Sequence, residues 1–208
     1  MLLVLQVSFP PSNHETYITK MDVIDVPDHI SLWGLRLAIC QPLQQYANVR
    51  PTKVFKGTQS PLRNCKTGDL DWVIIRENSE GEYAGHGGRS HVNQPWETAT
   101  EVSIFTRHGV ERIMRFAFET AVKRPKKHII VVTKSNAQRN GMVLWDQIAK
   151  EVATEFPDVK VEKMLVDAMT TRMVLKPESI DTIVATNLVS FSFLISGLQS
   201  DRDRADGW

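Results

Sequence analysis

The chain has 208 residues, 42% of them apolar and 24% charged, with a formal net charge of +1. That length suits one ordinary domain with a sizeable core, and the composition speaks against disorder. So small a charge gives no reason to propose nucleic acid or an anionic membrane as partner. The two cysteines, Cys40 and Cys65, are too few for a disulfide framework and fit a reducing, cytoplasmic compartment.

Met1 to Val7 is an apolar run followed by Ser8, Phe9, Pro10 and Pro11. It is too short to span a bilayer and lacks the basic flank and cleavage site of a signal peptide, so a buried strand or a disordered start is expected. Residues 1–25 show little periodicity. Leu32 to Leu43 reads as a helix with Pro42 at or near its end. Val49 to Phe55 and Leu70 to Arg76 read as strands, separated by turn formers at Gly57, Pro61, Asn64 and Gly68. Glu80 to Pro95 holds Gly81, Gly85, Gly87 and Gly88 and reads as a loop or extended arm.

Val110, Ile113, Met114, Ala117, Phe118 and Ala121 recur at the spacing of an amphipathic helix. Arg124, Lys126 and Lys127 follow, where they would complement a helix C-terminus. Ile129 to Thr133 is a β-branched run suited to a buried strand. Trp145, Ile148, Ala149 and Val152 mark a second helix, stopped before Pro157. Val159 to Val166 reads as a strand, Thr170 to Leu175 as a helix and Ile180 to Thr186 as a strand. Strands alternating with helices imply an α/β layered fold. The four-glycine segment is no phosphate cradle, because neither a Gly-x-x-x-x-Gly-Lys-Ser/Thr run nor a Gly-x-Gly-x-x-Gly run after a strand is present.

Four stretches in order carry a resemblance: Asn48-Val49-Arg50-Pro51; Ile75-Arg76-Glu77-Asn78-Ser79-Glu80-Gly81-Glu82-Tyr83; Thr133-Lys134-Ser135-Asn136; and Val166-Asp167-Ala168-Met169. Together they resemble the β-decarboxylating dehydrogenases, the family of isopropylmalate, isocitrate, tartrate and D-malate dehydrogenases. Pro27 to Gly34 and the arm from Glu82 to Glu97 are similar to the tartrate and D-malate branch. The resemblance implies an incomplete isocitrate/isopropylmalate dehydrogenase-like α/β fold, with helices packed on a mixed sheet and a dimerisation arm. It runs over residues 26–188, mostly the substrate and dimerisation part. Residues 1–25 and 189–208 do not share it.

The reaction so implied is NAD-dependent oxidation and decarboxylation of a small 2-hydroxy dicarboxylate, tartrate or D-malate, assisted by Mg²⁺ or Mn²⁺. The site would be shared within a homodimer. Arg50 and Arg76 match the substrate arginines; a guanidinium fork holds a carboxylate through two hydrogen bonds, although most arginines make only surface salt bridges. Lys134 matches the general base supplied across the dimer interface, and burial of such a lysine would lower its pKa; by itself a lysine at a strand end is usually solvated. Tyr83 matches the acid that protonates the enolate carbon, against the plain alternative of a packing tyrosine. Asn136 matches an asparagine near substrate and nicotinamide, or is a turn residue. Asp167 matches one metal carboxylate, or is a helix cap. His86 and His91 lack a third ligand for zinc, and His29 is given no chemical role.

Three departures stand out. Cys40 occupies the position of a further substrate arginine, for which Arg36 is a candidate replacement. The family's opening strand and glycine loop have no counterpart in residues 1–25. After Leu188 the family's Asp-Ile-Leu-Ser-Asp helix, source of two more metal carboxylates, is replaced by an apolar and then charged tail. These departures raise the expectation of a truncated or misassembled product. The alternatives are a catalytically dead subunit that acts as a dimerisation module, and an isopropylmalate dehydrogenase.

Overall fold

A computed structural model describes residues 38–57 and 66–187. The chain divides at Ala38 into two units, Met1–Ala38 and Ile39–Trp208, and apart from Ala38 every described residue lies in the second. The apolar start, Arg36, Cys65 and the tail 189–208 fall outside the described residues, as does most of the helix expected over Leu32 to Leu43. Of that helix, Ala38–Cys40 is helical and gives way to a turn that includes Pro42.

The elements in chain order are β1 (Ala47–Lys53), β2 (Asp71–Glu77), β3 (Gly81–Ser90), β4 (Thr98–Ile104), α1 (Arg107–Val122), β5 (His128–Thr133), α2 (Gly141–Ala153), β6 (Lys160–Leu165), α3 (Val166–Leu175) and β7 (Thr182–Ala185). Five of the strands form one sheet in the order β1-β2-β7-β5-β6. β1 is antiparallel to β2, and β2, β7, β5 and β6 are mutually parallel. The α/β class and the mixed sheet expected from the sequence are therefore present. β5 and β7 are buried along their whole length, which is why Ile129–Val132 reads as an unbroken apolar run rather than an alternating one.

Alternate strand residues serve two cores. On one face Val73, Ile75, Val131 and Val184 meet Ile113 and Phe118 of α1 and Trp145 and Ile148 of α2. On the other, Trp72, Ile74, Ile130 and Ile183 meet Met169 and Met173 of α3. Phe118 and Trp145 are fully buried, and truncating such an aromatic to alanine costs about 3–5 kcal/mol.

Helix α1 begins where Thr106 caps it, its hydroxyl accepting from the Gly109 amide at 3.0 Å. The Glu80 carboxylate in turn accepts from the Thr106 amide at 2.9 Å and from its hydroxyl at 2.5 Å. A Cβ at Gly109 would lie 2.2 Å from that carboxylate, so a larger residue there would push the Glu80 side chain off Thr106. The basic cluster after α1 does something other than complement its C-terminus. Arg124 Nε donates to Asp181 Oδ1 at 2.6 Å and Nη2 to the Asp71 carbonyl at 2.6 Å. Lys126 Nζ donates to the Ile180 carbonyl at 3.1 Å. These cations clamp the starts of β2 and β7 together beneath the helix.

Three differences from the sequence reading bear on the site. β1 starts at Ala47, because the antiparallel register with β2 continues through polar residues to the Ala47–Glu77 pair. α3 starts at Val166, directly off β6. The glycine-rich Gly81–Ser90 is not a loop but a strand paired with β4, forming the extended arm; a register shift between Gly81 and His86 accommodates Gly85 at a φ of +73°. β4 alternates small and polar residues and is exposed at six of its seven positions, so it leaves no apolar period in the sequence. Among the described residues no helix is long and apolar enough to cross a membrane.

His128 opens β5 at 7% exposure, with Nε2 3.2 Å from Glu162 Oε2. Burial holds its imidazole below the ordinary 6.5, against the pull of the Glu162 carboxylate. Below pH 6.5 the unfolded chain thus binds a proton that the folded chain resists, and stability is lost as the pH falls through that window. Glu162 is held below its ordinary 4.5, chiefly by the hydrogen bond from Arg172, so its contribution disappears only at more acid pH. The urea midpoint is expected to drop between about pH 7 and about pH 5.5. His128→Gln should flatten that drop and leave the acid limb intact; an unflattened drop would assign the effect to another group.

Candidate active site

β2, β7, β5 and β6 are parallel and end along one edge of the sheet. Ligands of open α/β sheets collect beyond such carboxyl ends. Arg76, Lys134 and Asp167 stand at or just past this edge, and Arg50 and Tyr83 are brought towards it by β1 and β3.

Arg76 is the penultimate residue of β2 and only 2% exposed. Its Nε donates to the Asn187 carbonyl at 3.0 Å, and its guanidinium lies 5.7 Å from the Tyr83 ring centroid. In the β1–β2 register Asn48 faces Arg76 and Arg50 faces Ile74. Arg50 and Arg76 therefore emerge on the same side of adjacent strands, with Cα atoms roughly 7–8 Å apart as diagonal neighbours. Arg50 Nε is aimed by the Asn48 side-chain carbonyl at 3.1 Å.

Between Arg76 and Tyr83 the chain reverses through a turn built by its own acidic residue. Glu77 is buried, and its carboxylate accepts from the Ser79 amide at 3.0 Å, the Ser79 hydroxyl at 2.7 Å and the Glu80 amide at 2.7 Å. Burial raises the Glu77 pKa, and those hydrogen bonds oppose the rise. Gly81 then turns the chain with a φ of +78°, and β3 carries Tyr83 back against Arg76. The Glu77–Glu80 segment is thus architecture. Sequence reasoning gave it no role, and gave none to Asn187 or Asn48; their only signal was position, at the strand end and two residues before Arg50.

The second group is Lys134 and Asp167. Lys134 follows the last residue of β5, and Asp167 sits in the first turn of α3. The Lys134 ammonium is ion-paired with Asp167 Oδ2. The residue at the helix cap is Leu165, so Asp167 is not a cap; its charge there favours the helix dipole. The expected burial of Lys134 is not met by the described residues: its side chain is 32% exposed and that of Asp167 70%. Both groups open outward. Asn136 is an exposed residue of the turn that follows, whose closing amides, Ala137 and Gln138, both donate to the Lys134 carbonyl. β7 separates β2 from β5, so the two groups are two strand spacings apart, roughly 10 Å at the backbone.

Asp167 is an oxygen donor of the kind a hard divalent cation takes, and it is accessible. It fits as one ligand only, since no cluster of three or more metal-ligating side chains occurs among the described residues. The turn from β5 into α2 carries no Gly-x-Gly-x-x-Gly run of the kind that cradles a dinucleotide pyrophosphate.

Residues 27–192 match the isocitrate/isopropylmalate dehydrogenase family. A probable tartrate dehydrogenase/decarboxylase of Agrobacterium vitis is 73% identical over 164 residues, covering 79% of this chain and 46% of the relative. The D-malate dehydrogenase (decarboxylating) of Escherichia coli is 42% identical over 173 residues, covering 83% of this chain and 47% of its own. Among solved structures, isocitrate dehydrogenase from Methylococcus capsulatus superposes with a TM-score of 0.69 at 34% identity, over 80% of this chain and 46% of that one. The chain spans about half the length of the curated relatives it matches. With the motif residues gathered at the sheet's carboxyl edge, and with four-fifths of its length matched, this chain belongs to the isocitrate/isopropylmalate dehydrogenase family.

Proposed function

We propose that the chain is part of a cytoplasmic, NAD-dependent enzyme that oxidises and decarboxylates a small 2-hydroxy dicarboxylate, tartrate or D-malate, with a divalent metal, Mg²⁺ or Mn²⁺. The observation that carries this reading is the pair Arg50 and Arg76 on one side of adjacent strands, with Tyr83 against the second. Two guanidinium forks suit two carboxylates, and the names of the similar proteins supply the substrate class.

In this reading Arg50 and Arg76 hold the substrate's carboxylates, and the stacked Tyr83 is kept where its hydroxyl can deliver a proton to the enolate carbon. Lys134 Nζ, in its neutral amine form, receives the proton of the 2-hydroxyl and becomes the ammonium that pairs with Asp167. Asn136 orients substrate against the nicotinamide. Asp167 would supply one ligand to a divalent metal, which would offer charge stabilisation for the enolate, and a nicotinamide held near Asn136 would offer the hydride acceptor. Lys134 and Asp167 stand apart from the arginine–tyrosine group and open outward, which supports their serving the site of a second copy in a homodimer.

Purified chain supplied with NAD, Mn²⁺ and either tartrate or D-malate is expected to form reduced nicotinamide, and Lys134→Ala to slow it by at least about 100-fold. Turnover of isopropylmalate in preference to both would replace the substrate. A folded, dimeric chain with no turnover on any of the three would contradict the enzyme reading and leave a dimerisation module.

A further inference from the structure

We infer that Glu82 and Gln138 are positioning residues that hold the Lys134–Gln138 turn against the base of the arm. The inference rests on the roles proposed above for Lys134 and Asn136, and extends them to two side chains given no role so far, Glu82 within the second motif stretch and Gln138 two residues past the third. Strand alternation turns Glu82 away from Tyr83, and the Gln138 side-chain amide donates to Glu82 Oε1 at 3.4 Å. The other carboxylate oxygen, Oε2, is buried with no hydrogen-bond partner among the described residues, so Gln138 is the hydrogen bond that retains this side chain.

Gln138 closes the turn in its backbone as well. Its amide donates to the Lys134 carbonyl at 3.0 Å, beside that of Ala137 at 2.9 Å. A residue that closes the Lys134 turn through its backbone and reaches the arm through its side chain fixes where the turn sits. A second contact works in the same direction a few residues on. Phe105, just past β4, is wedged between the two segments: a Cβ on Gly81 would lie 3.4 Å from its ring, and one on Gly141 only 2.5 Å. The turn is therefore held by β5 at Lys134, by Glu82 at Gln138 and by Phe105 at the start of α2. One arm-side contact comes from β3, the strand that carries Tyr83, and the other from the residue that follows its partner β4. The arm base thereby sets Lys134 and Asn136 in register with the rest of this chain's catalytic edge.

The test reads geometry rather than turnover, so it stands whether or not the chain proves to be a dehydrogenase. Lysine acylation by an amine-reactive reagent is followed residue by residue by mass spectrometry, with hydrogen exchange at the Ala137 and Gln138 amides. In Glu82→Ala and in Gln138→Ala, labelling of Lys134 relative to Lys163 and exchange at both amides should rise about fivefold, the scale of one lost ordinary hydrogen bond of about 1 kcal/mol. Glu82→Gln, which keeps an acceptor for Gln138, should restore the parent values, and the double alanine variant should be no worse than either single one. Unchanged Lys134 labelling in both alanine variants would overturn the inference. So would an equal rise at every lysine, which would report general loosening, or a Glu82→Gln variant that behaves like Glu82→Ala.

Discussion

Strand β7 has only four residues, yet it pairs with β2 on one side and β5 on the other, and the sheet's carboxyl edge depends on that double pairing. Ile183 lies between Ile74 and Ile130, and Val184 between Ile75 and Val131. Without β7 the strand bearing Arg76 and the strand leading to Lys134 would have no common register. Its entry is fixed by charge: Asp181, 1% exposed, takes a hydrogen bond from Arg124, which also holds the start of β2. A buried carboxylate is tolerable only when paired, so removing Arg124 would strand Asp181 at a cost of about 3–5 kcal/mol. At its exit the carbonyl of Asn187 accepts a hydrogen bond from Arg76.

The same economy appears along the arm. Glu77, Ser79 and Glu80 close the turn after β2, and Glu80 then reaches Thr106 to start α1. One short segment thus places Tyr83 against Arg76, caps the main helix and launches the arm. The result is an edge with two groups, a largely buried one of guanidinium and phenol and a more exposed one of ammonium and carboxylate.

Much of this was legible in the sequence. The stripe from Val110 to Ala121 and the run Ile129–Thr133 announced α1 and β5, because burial of a helix face and of a whole strand leaves an apolar pattern. Arg50, Arg76, Tyr83, Lys134, Asn136 and Asp167 stand out through motif resemblance; the five-stranded sheet sets Arg76 and Lys134 at one edge, with Asp167 in the first turn of α3, Arg50 mid-strand in β1, Tyr83 on the arm strand β3 and Asn136 on the exposed turn. What the sequence hid was whatever lacks a one-dimensional signal. β4 escaped because a two-stranded arm buries neither face. The roles of Arg124 and Glu80 escaped because their partners, Asp181 and Thr106, are 57 and 26 residues away. The openness of Lys134 escaped because an apolar strand says nothing about what covers the residue after its end.

The pair of arginines is the heart of the account, and dicarboxylate binding by titration calorimetry tests it most directly. Tartrate should bind the parent chain, and Arg76→Lys should weaken it about 30-fold, the loss expected when a two-pronged charged contact of about 2 kcal/mol becomes a point charge. Arg89→Lys, on the exposed arm, should bind like the parent. A folded Arg76→Lys chain that bound tartrate as tightly as the parent would contradict the assignment of this edge as the substrate site.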